Sequence, residues 1–441
     1  MTSSLIQVIV ALLAGIFLII LLTTRYKVHA FFALMIASFV VGLGVQLPAI
    51  QIVGLVKEGF GNIMKSLGFI IVLGTTLGVL LEYTGSTRVM AGYILKRVGD
   101  KHAAFAMSIT GLVVGLPIFC DSGYIVLSGL NKSIARRTGI SAIIMSVSLA
   151  TGLYSVHCLI PPHPGAAAAA GVFGVSFGRL ILIGIVVALP AMLVGHWWAG
   201  FAGRKIPFLR STDESDEINE VALPSAVKAF LPVIVPIILI AMHSVVEGNQ
   251  GRTPWQQMML VLGEPVIALA IGVLLALNAG KNWTRIKLGK LLSDGAEKAG
   301  GILVIIGAGG AFGAVLAATK IGEHFGNAVA LGSLGLLFPF LLSFILKTAQ
   351  GSSTVAIITS ASVVLPLLPA LRLDTESGRL LAVLAMGAGS MMISHANDAY
   401  FWVIAKFSGL DMKTMLRVYS VATLWMGLVS IIMIYLLSIF I

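Results

Sequence analysis

The sequence predicts an all-α polytopic membrane protein made of two related halves. Three observations carry that prediction. Hydrophobic residues make up 58% of the 441 and charged residues only 11%; several apolar runs approach or exceed the ~20 residues that span a hydrocarbon core; and one register repeats along the chain. A soluble domain carries about 25% charged residues, so the solvent of this chain is the bilayer, as its mean hydropathy of +1.02 also indicates. Strands of a membrane barrel would alternate polar and apolar residues over about ten positions, and these runs do not alternate.

The register is read from LATGLYS (Leu149 to Ser155), which returns as LAMGAGS (Leu384 to Ser390) 235 residues later. The same shift carries Gly74 onto Gly309, Gly78 onto Gly313, Leu81 onto Leu316 and Thr84 onto Thr319. It also carries Gly115–Phe119 onto Gln350–Thr354, and Pro161–Pro164 onto Ala396–Ala399. Small-residue matches come cheaply in a chain with 49 glycines, but three separated blocks in one register do not. Related halves interrupted at matching places point to a binding site at their interface. The halves are residues 1–202 and 229–441, joined by a polar stretch at 203–228 that holds Asp213–Glu217 and closes on Pro224.

Element by element, Leu5–Leu22 is a first span. It lacks a basic leader and more spans follow, so it does not read as a signal peptide. Arg25 and Lys27 behind it, after the uncharged Met1–Gln7, place the N-terminus outside. Lys57–Lys65 and Arg88–Lys101 are amphipathic stretches flanking the span Leu67–Leu81; Lys281–Lys298 stands in the same way before Gly301–Ala318. Such stretches lie at the interface or brace a moving element. Leu180–Val194, Ala229–Met242 and Val418–Ile441 are further spans, for a total on the order of a dozen membrane elements. His196 beside Trp197 and Trp198 fits an interfacial belt, and Glu82, Glu264 and Glu323 fall at span ends where snorkelling is inexpensive. The formal charge of +11 sits in short loops such as Arg136–Arg137 and Arg204–Lys205, the positive-inside signal rather than a nucleic-acid surface. It puts the 203–228 loop in the cytoplasm.

The chemistry lies where apolar runs break, because irregular backbone survives in a membrane only against protein or a wet cavity. The first break, Gly115–Tyr124, contains Pro117, Gly123, Ser122 and the carboxyl of Asp121, a group costing on the order of 3 kcal/mol if bare and charged at the membrane centre. Its partner, Thr348–Thr354, offers Gln350, Ser352, Ser353, Thr354 and free peptide groups at the start of an apolar helix, which suits an anion. Both breaks suit tips of re-entrant hairpins. The second pair is Pro161–Gly165, with Pro162 and His163, and Ser394–Ala399, with His395, Asn397 and Asp398. Consecutive prolines end a helix, and the polar residues supply hydrogen-bonding and titratable groups beside broken backbone. Asp121 is the first candidate for a proton-linked carboxyl and Asp398 the second. His157, alone in an apolar run, reads as a hydrogen-bonded packing residue. Cys120 and Cys158 indicate neither a disulfide framework nor a zinc site. No cofactor, metal or catalytic constellation is expected: GxxxxGK[ST] and HExxH are both absent.

At these breaks the sequence resembles the gluconate permease family, proton symporters of gluconate and related hydroxy acids. The resemblance rests on GLPIFCDSGYIVL (Gly115 to Leu127), PPHPGAAAAAG (Pro161 to Gly171), QGSSTVAIITSA (Gln350 to Ala361) and SHANDAYFW (Ser394 to Trp402). It implies an inner-membrane secondary transporter of the ion transporter superfamily, with inverted repeats, two re-entrant hairpins, a dimeric scaffold and an elevator-type movement. Its partners would be a small anionic substrate, a co-transported proton, membrane lipid and a second copy of the chain. The chain departs from the family where FFExGF reads Phe119-Cys120-Asp121-Ser122-Gly123-Tyr124 and NDSGFW reads Asn397-Asp398-Ala399-Tyr400-Phe401-Trp402. A shorter carboxyl and an added tyrosine leave transport standing and reopen the substrate: gluconate, another hydroxy acid, or D-serine, which one branch of the family carries. A Na⁺-coupled carrier is the nearest rival; a channel and an intramembrane enzyme are more distant.

Overall fold

The computed structural model describes residues 5–204, 223–247, 253–280, 283–320 and 332–441. Most of the joining loop, with Asp213–Glu217, lies outside the described residues, as do Lys281 and Glu323. Among the described residues all regular structure is helical. Among the described residues, seven segments are long and apolar enough to cross a membrane, or eight if the pair bent by 69° between Leu262 and Pro265 counts as one span; Ala30–Gly44, Leu337–Gln350 and Ser353–Leu367 are shorter apolar helices.

The first half runs α1 (Leu5–Thr24), α2 (Ala30–Gly44), α3 (Ala49–Tyr83), α4 (Ser86–Val98), α5 (Ala103–Gly115), α6 (Cys120–Thr138), α7 (Ala142–Leu159), α8 (Pro164–Phe173) and α9 (Phe177–Gly203). The second continues with α10 (Ala226–Glu247), α11 (Pro254–Leu262), α12 (Pro265–Ala279), α13 (Arg285–Ala318), α14 (Leu337–Gln350), α15 (Ser353–Val364), α16 (Glu376–Met391) and α17 (Ala399–Ser408). It ends on α18 (Val421–Leu437), which is led in by a short turn of π-helix at Leu416–Ser420.

Two expectations need correcting. Lys57–Lys65 is not a stretch beside the span Leu67–Leu81 but the same 35-residue helix, α3. Most of Lys281–Lys298 is likewise continuous with Gly301–Ala318 in the 34-residue α13. At 1.5 Å per residue such helices reach about 50 Å, well beyond a ~30 Å hydrocarbon core, so their charged ends lie outside it. Nothing in either sequence stops the helix until its C-terminal end, where Gly85 at φ +72° turns the chain from α3 into α4.

The observed boundaries recur with the shift read from the sequence. Ala30 and Gly44 bound α2 and Pro265 and Ala279 bound α12, both 15 residues long. Pro164–Phe173 and Ala399–Ser408 are both 10 residues and both end on a left-handed glycine, Gly174 and Gly409. Even local bonds repeat: Ser155 Oγ donates to Gly152 O at 2.8 Å and Ser390 Oγ to Gly387 O at 2.7 Å.

Helices of the two halves interlock through small residues, as membrane interfaces require where backbones approach closely. A side chain on Gly59 of α3 would run into the Gly310 carbonyl of α13. Helix α7 is the innermost: its span with α8 is 94% buried, whereas that of α1 is 22% buried. The two copies of the repeated heptapeptide, in α7 and α16, meet there, with Tyr154 Oη donating to Ser390 O at 3.2 Å. Glu82 and Glu264 sit at span ends, the latter capping α12 through Val266 N at 2.8 Å. His196 lies half-buried with Nδ1 against Ser148 Oγ at 2.9 Å, beside exposed Trp197.

Candidate functional site

Each half places a helix break against the short helix that follows its second polar loop. In the first half, α5 ends at Gly115 and α6 starts at Cys120 with Asp121 in its first turn. His163, the residue before α8, is 2% exposed, and its Nε2–H donates to the Gly115 carbonyl at 2.6 Å. Its ring also lies 4.9 Å from that of His157 and 6.1 Å from that of Phe119. Pro162 packs on Gly74 of α3.

The second half uses a residue that the sequence reading missed. Lys347, in the last turn of α14, is 1% exposed, and its Nζ donates to Asp398 Oδ2 at 2.6 Å and to the Gly351 carbonyl at 2.5 Å. Asp398 is itself tightly placed. Its Oδ2 accepts from Ser394 Oγ at 2.5 Å, and its Oδ1 caps α17 through Tyr400 N at 3.0 Å. A lysine in an apolar helix is a functional signal by default, and this one stands one residue before the motif as it was read, at Thr348. Standing directly after the apolar run Leu337–Leu346, it looks like a span end; only the fold turns it inward.

The remaining second-half candidates split by what their polar atoms do. His395 Nε2 and Asn397 Nδ2 both donate to the Thr348 carbonyl, at 3.1 and 2.7 Å, tying their loop to the end of α14. Ser352 caps α15 through Val355 N at 3.3 Å, and Ser353 is buried one residue on. Thr354, half-buried, packs its Cα toward Gly165 of α8, so the second-half tip rests on the first half. The turn at the tip is possible because Gly351 takes φ +86°, with no room for a side chain against Asn397.

Other polar atoms are enclosed with no bonding partner: both amide atoms of Gln350, Asp121 Oδ1, Thr348 Oγ1 and His157 Nδ1. His157 is the packing residue expected, its ring stacked 6.3 Å from that of Tyr154, but its Nδ1 lacks the hydrogen bond expected with it. Buried polar groups are paired in the great majority of cases, so such a cluster calls for an explanation. Asp121 lies within electrostatic reach of both Lys347 and Asp398, which joins the first-half break to the second. Ser122 beside it is half-buried. Tyr400, the departure from the family pattern, fills the centre: it stacks on Tyr154 at 5.6 Å, packs edge-on against Tyr124 and donates to Ala150 O at 3.2 Å. All four sequence breaks thus converge on one buried region where helix ends, an ion pair and unpartnered polar atoms meet.

Comparison with known proteins agrees with this architecture. Residues 6–440 match the family model described as GntP family permease. A gluconate permease of Pseudomonas aeruginosa is 33% identical over 437 residues, covering 95% of each chain. The D-serine transporter DsdX of Escherichia coli O6:H1 is 31% identical, covering 98% of each. Among solved structures, the YdaH transporter of Alcanivorax borkumensis superposes with a TM-score of 0.64 at 17% identity, over 89% of this chain and 90% of that one, a likeness of fold.

Proposed function

The chain belongs to the GntP permease family and is an inner-membrane, multi-pass transporter rather than an enzyme; from that premise we propose that it is a proton symporter importing gluconate or a related small hydroxy-carboxylate. The observation that carries the proposal is the convergence of the four breaks on a buried Lys347–Asp398 pair, ringed by unpartnered polar atoms of Gln350, Thr348 and Asp121. A polyhydroxylated anion offers what such a region lacks: a carboxylate for a cation and the α15 N-terminus, and hydroxyls for amide and carboxyl. In this reading the tip residues Gln350, Ser352, Ser353 and Thr354 meet substrate together with Asp121, Ser122, Pro162 and His163, while His395 and Asn397 close the site. Asp121 and Asp398 are the carboxyls available for coupling.

The proposal includes the architecture: halves 1–202 and 229–441 as inverted repeats about a cytoplasmic 203–228 loop, breaks near Pro117 and Ser352 as re-entrant tips, and a homodimer. The recurring helix boundaries support the repeat. A second substrate reading, D-serine, is favoured by the 31% identity to a D-serine transporter and by Tyr400, which occupies space at the centre.

Uptake of labelled gluconate into proteoliposomes tests the proposal. Accumulation driven by an inward proton gradient, and blocked by excess unlabelled gluconate, is the expected result. Accumulation that needs Na⁺ and ignores the pH gradient would replace the proton; flux that never exceeds equilibrium would replace the carrier with a channel. Competition by D-serine but not by gluconate would change the substrate alone.

A further inference from the structure

We propose that Lys347 is the cation that receives the substrate's carboxylate, and that it does so by trading away Asp398, whose freed carboxylate takes the co-transported proton. The assignment rests on the symport reading above and deepens it into a mechanism of coupling.

Charge is the first argument. Lys347 and Asp398 sum to zero in a region where each side chain is under 10% exposed and where an unpaired charge is expensive. A carboxylate placed on Lys347 makes the sum of the pair and its ligand −1, beside Asp121, which lies within reach of both. One proton on Asp398 restores zero, so one anion enters with one proton and neither is favoured alone.

Geometry is the second. An ammonium has three donors; two of those of Lys347 go to Asp398 Oδ2 and Gly351 O. Asp398 does not depend on Lys347 for its position, because Ser394 Oγ and Tyr400 N hold both of its oxygens. Ser394 is fixed in turn by Thr423 Oγ1, which accepts from its N–H at 3.0 Å, and by Ser420 Oγ, which donates to its carbonyl. When Asp398 is protonated the Ser394 hydroxyl reverses, accepting where it had donated. The N–H···O bond from Lys347 breaks, a bond to the incoming carboxylate replaces it, and the proton from solvent ends on Asp398. The lysine keeps its grip on the Gly351 carbonyl, so occupancy of Nζ is felt directly at the tip.

The surroundings are the third. Gln350 and Thr348, one turn or less from Lys347, have enclosed polar atoms without partners, ready for the hydroxyls of the same ligand. Among the described residues, titratable groups within electrostatic reach of the pair include Cys120 and Asp121 from α6, Tyr154, His157 and Cys158 from α7, and Tyr419 from the π-turn, and His395 lies beside it on the Thr348 carbonyl. Asp121 is the one carboxyl among them and so the rival for the proton.

The experiment uses the full chain in proteoliposomes with labelled gluconate, and labelled D-serine in parallel. It reads gradient-driven accumulation and, separately, exchange without a gradient as a function of pH. Asp398→Asn imitates the protonated carboxyl and leaves Lys347 open: accumulation should be lost while exchange persists and becomes flat with pH. Adding Lys347→Gln to that variant strands no charge, so it should fold, yet half-saturation for exchange should rise about a hundredfold, the scale of losing a buried charged partner. Wild-type accumulation in Asp398→Asn, or unchanged half-saturation in the double variant, would overturn the assignment. If Asp121→Asn alone uncouples, symport stands and this assignment falls. If wild-type uptake ignores pH, the symport reading falls and the proton role of Asp398 with it, while the exchange assay still decides Lys347.

Discussion

His163 and Asp398 stand 235 residues apart, each immediately before a 10-residue helix, and each pins that helix to the neighbouring break by different chemistry. His163 does it with an N–H donated to the Gly115 backbone at 2.6 Å. Asp398 does it through Lys347, which passes the link on to the Gly351 carbonyl. The residue in register with Lys347 in the first half is Leu112, apolar, with no charge to offer. One latch is therefore a fixed bond between a side chain and the backbone; the other is an ion pair whose partners can be exchanged. Two halves that look alike in outline differ in their latches, and the charged one can trade its ionic partner for a bound anion.

The strongest way to break this comparison is to cut the charged latch on one side. Lys347→Met leaves the Asp398 carboxylate buried without its counter-charge, and we expect a loss of about 3–5 kcal/mol in stability. Thermal unfolding of the detergent-purified protein should show it as a sharply lowered midpoint or as failure to accumulate folded protein. Lys347→Met combined with Asp398→Asn should recover most of the loss, because the stranded charge is gone. A single variant that melts with the wild type would mean that the pair is not held as described.

Cutting the first latch should cost less. His163→Ala removes a buried bond, a kind worth about 0.6–1.7 kcal/mol between membrane helices, and leaves part of a ring-sized space beside His157 and Phe119. We expect about 2 kcal/mol in total. No second substitution should rescue it, since the abandoned partner is the backbone carbonyl of Gly115. A loss equal to that of Lys347→Met would erase the distinction between the latches.

The four breaks are legible in the sequence, because each depends on local signals: proline, glycine and clustered hydroxyls. So are the boundaries of α8 and α17, which Pro164 and the glycines at 174 and 409 mark directly. Pairing was harder to read. Asp121 and Asp398 look equivalent as carboxyls in apolar sequence, yet one is enclosed with an unpartnered oxygen and the other is held by three groups. Two of those groups, Ser394 and Tyr400, are local, but the charged one is Lys347, 51 residues before Asp398, and no spacing rule connects a lysine in one helix with an N-cap in another. The length of α3 was missed for a related reason. Charge along Lys57–Lys65 resembles a surface helix by composition, but helix continuity is decided by the absence of a stop signal, not by polarity.

The finest test concerns the tips themselves. Helix α15 begins on a side-chain cap, Ser352 Oγ accepting from Val355 N, whereas α6 begins at Phe119 with no side-chain cap and with its ring set against His157 and His163. Ser352→Ala should cost about 1 kcal/mol, the ordinary worth of such a cap. That loss alone would not separate a capping hydroxyl from one that touches substrate. Ser352→Gly separates them, because glycine at this position costs only a few tenths of a kcal/mol while removing the hydroxyl. If the hydroxyl meets substrate, half-saturation should rise in the glycine and alanine variants alike, although only alanine lowers the melting midpoint. Ser352→Asp sharpens the point further: it caps as well as serine but sets a negative charge where an anion should dock. A stable Ser352→Asp protein with unchanged gluconate uptake would show that Ser352 serves the fold and not the substrate.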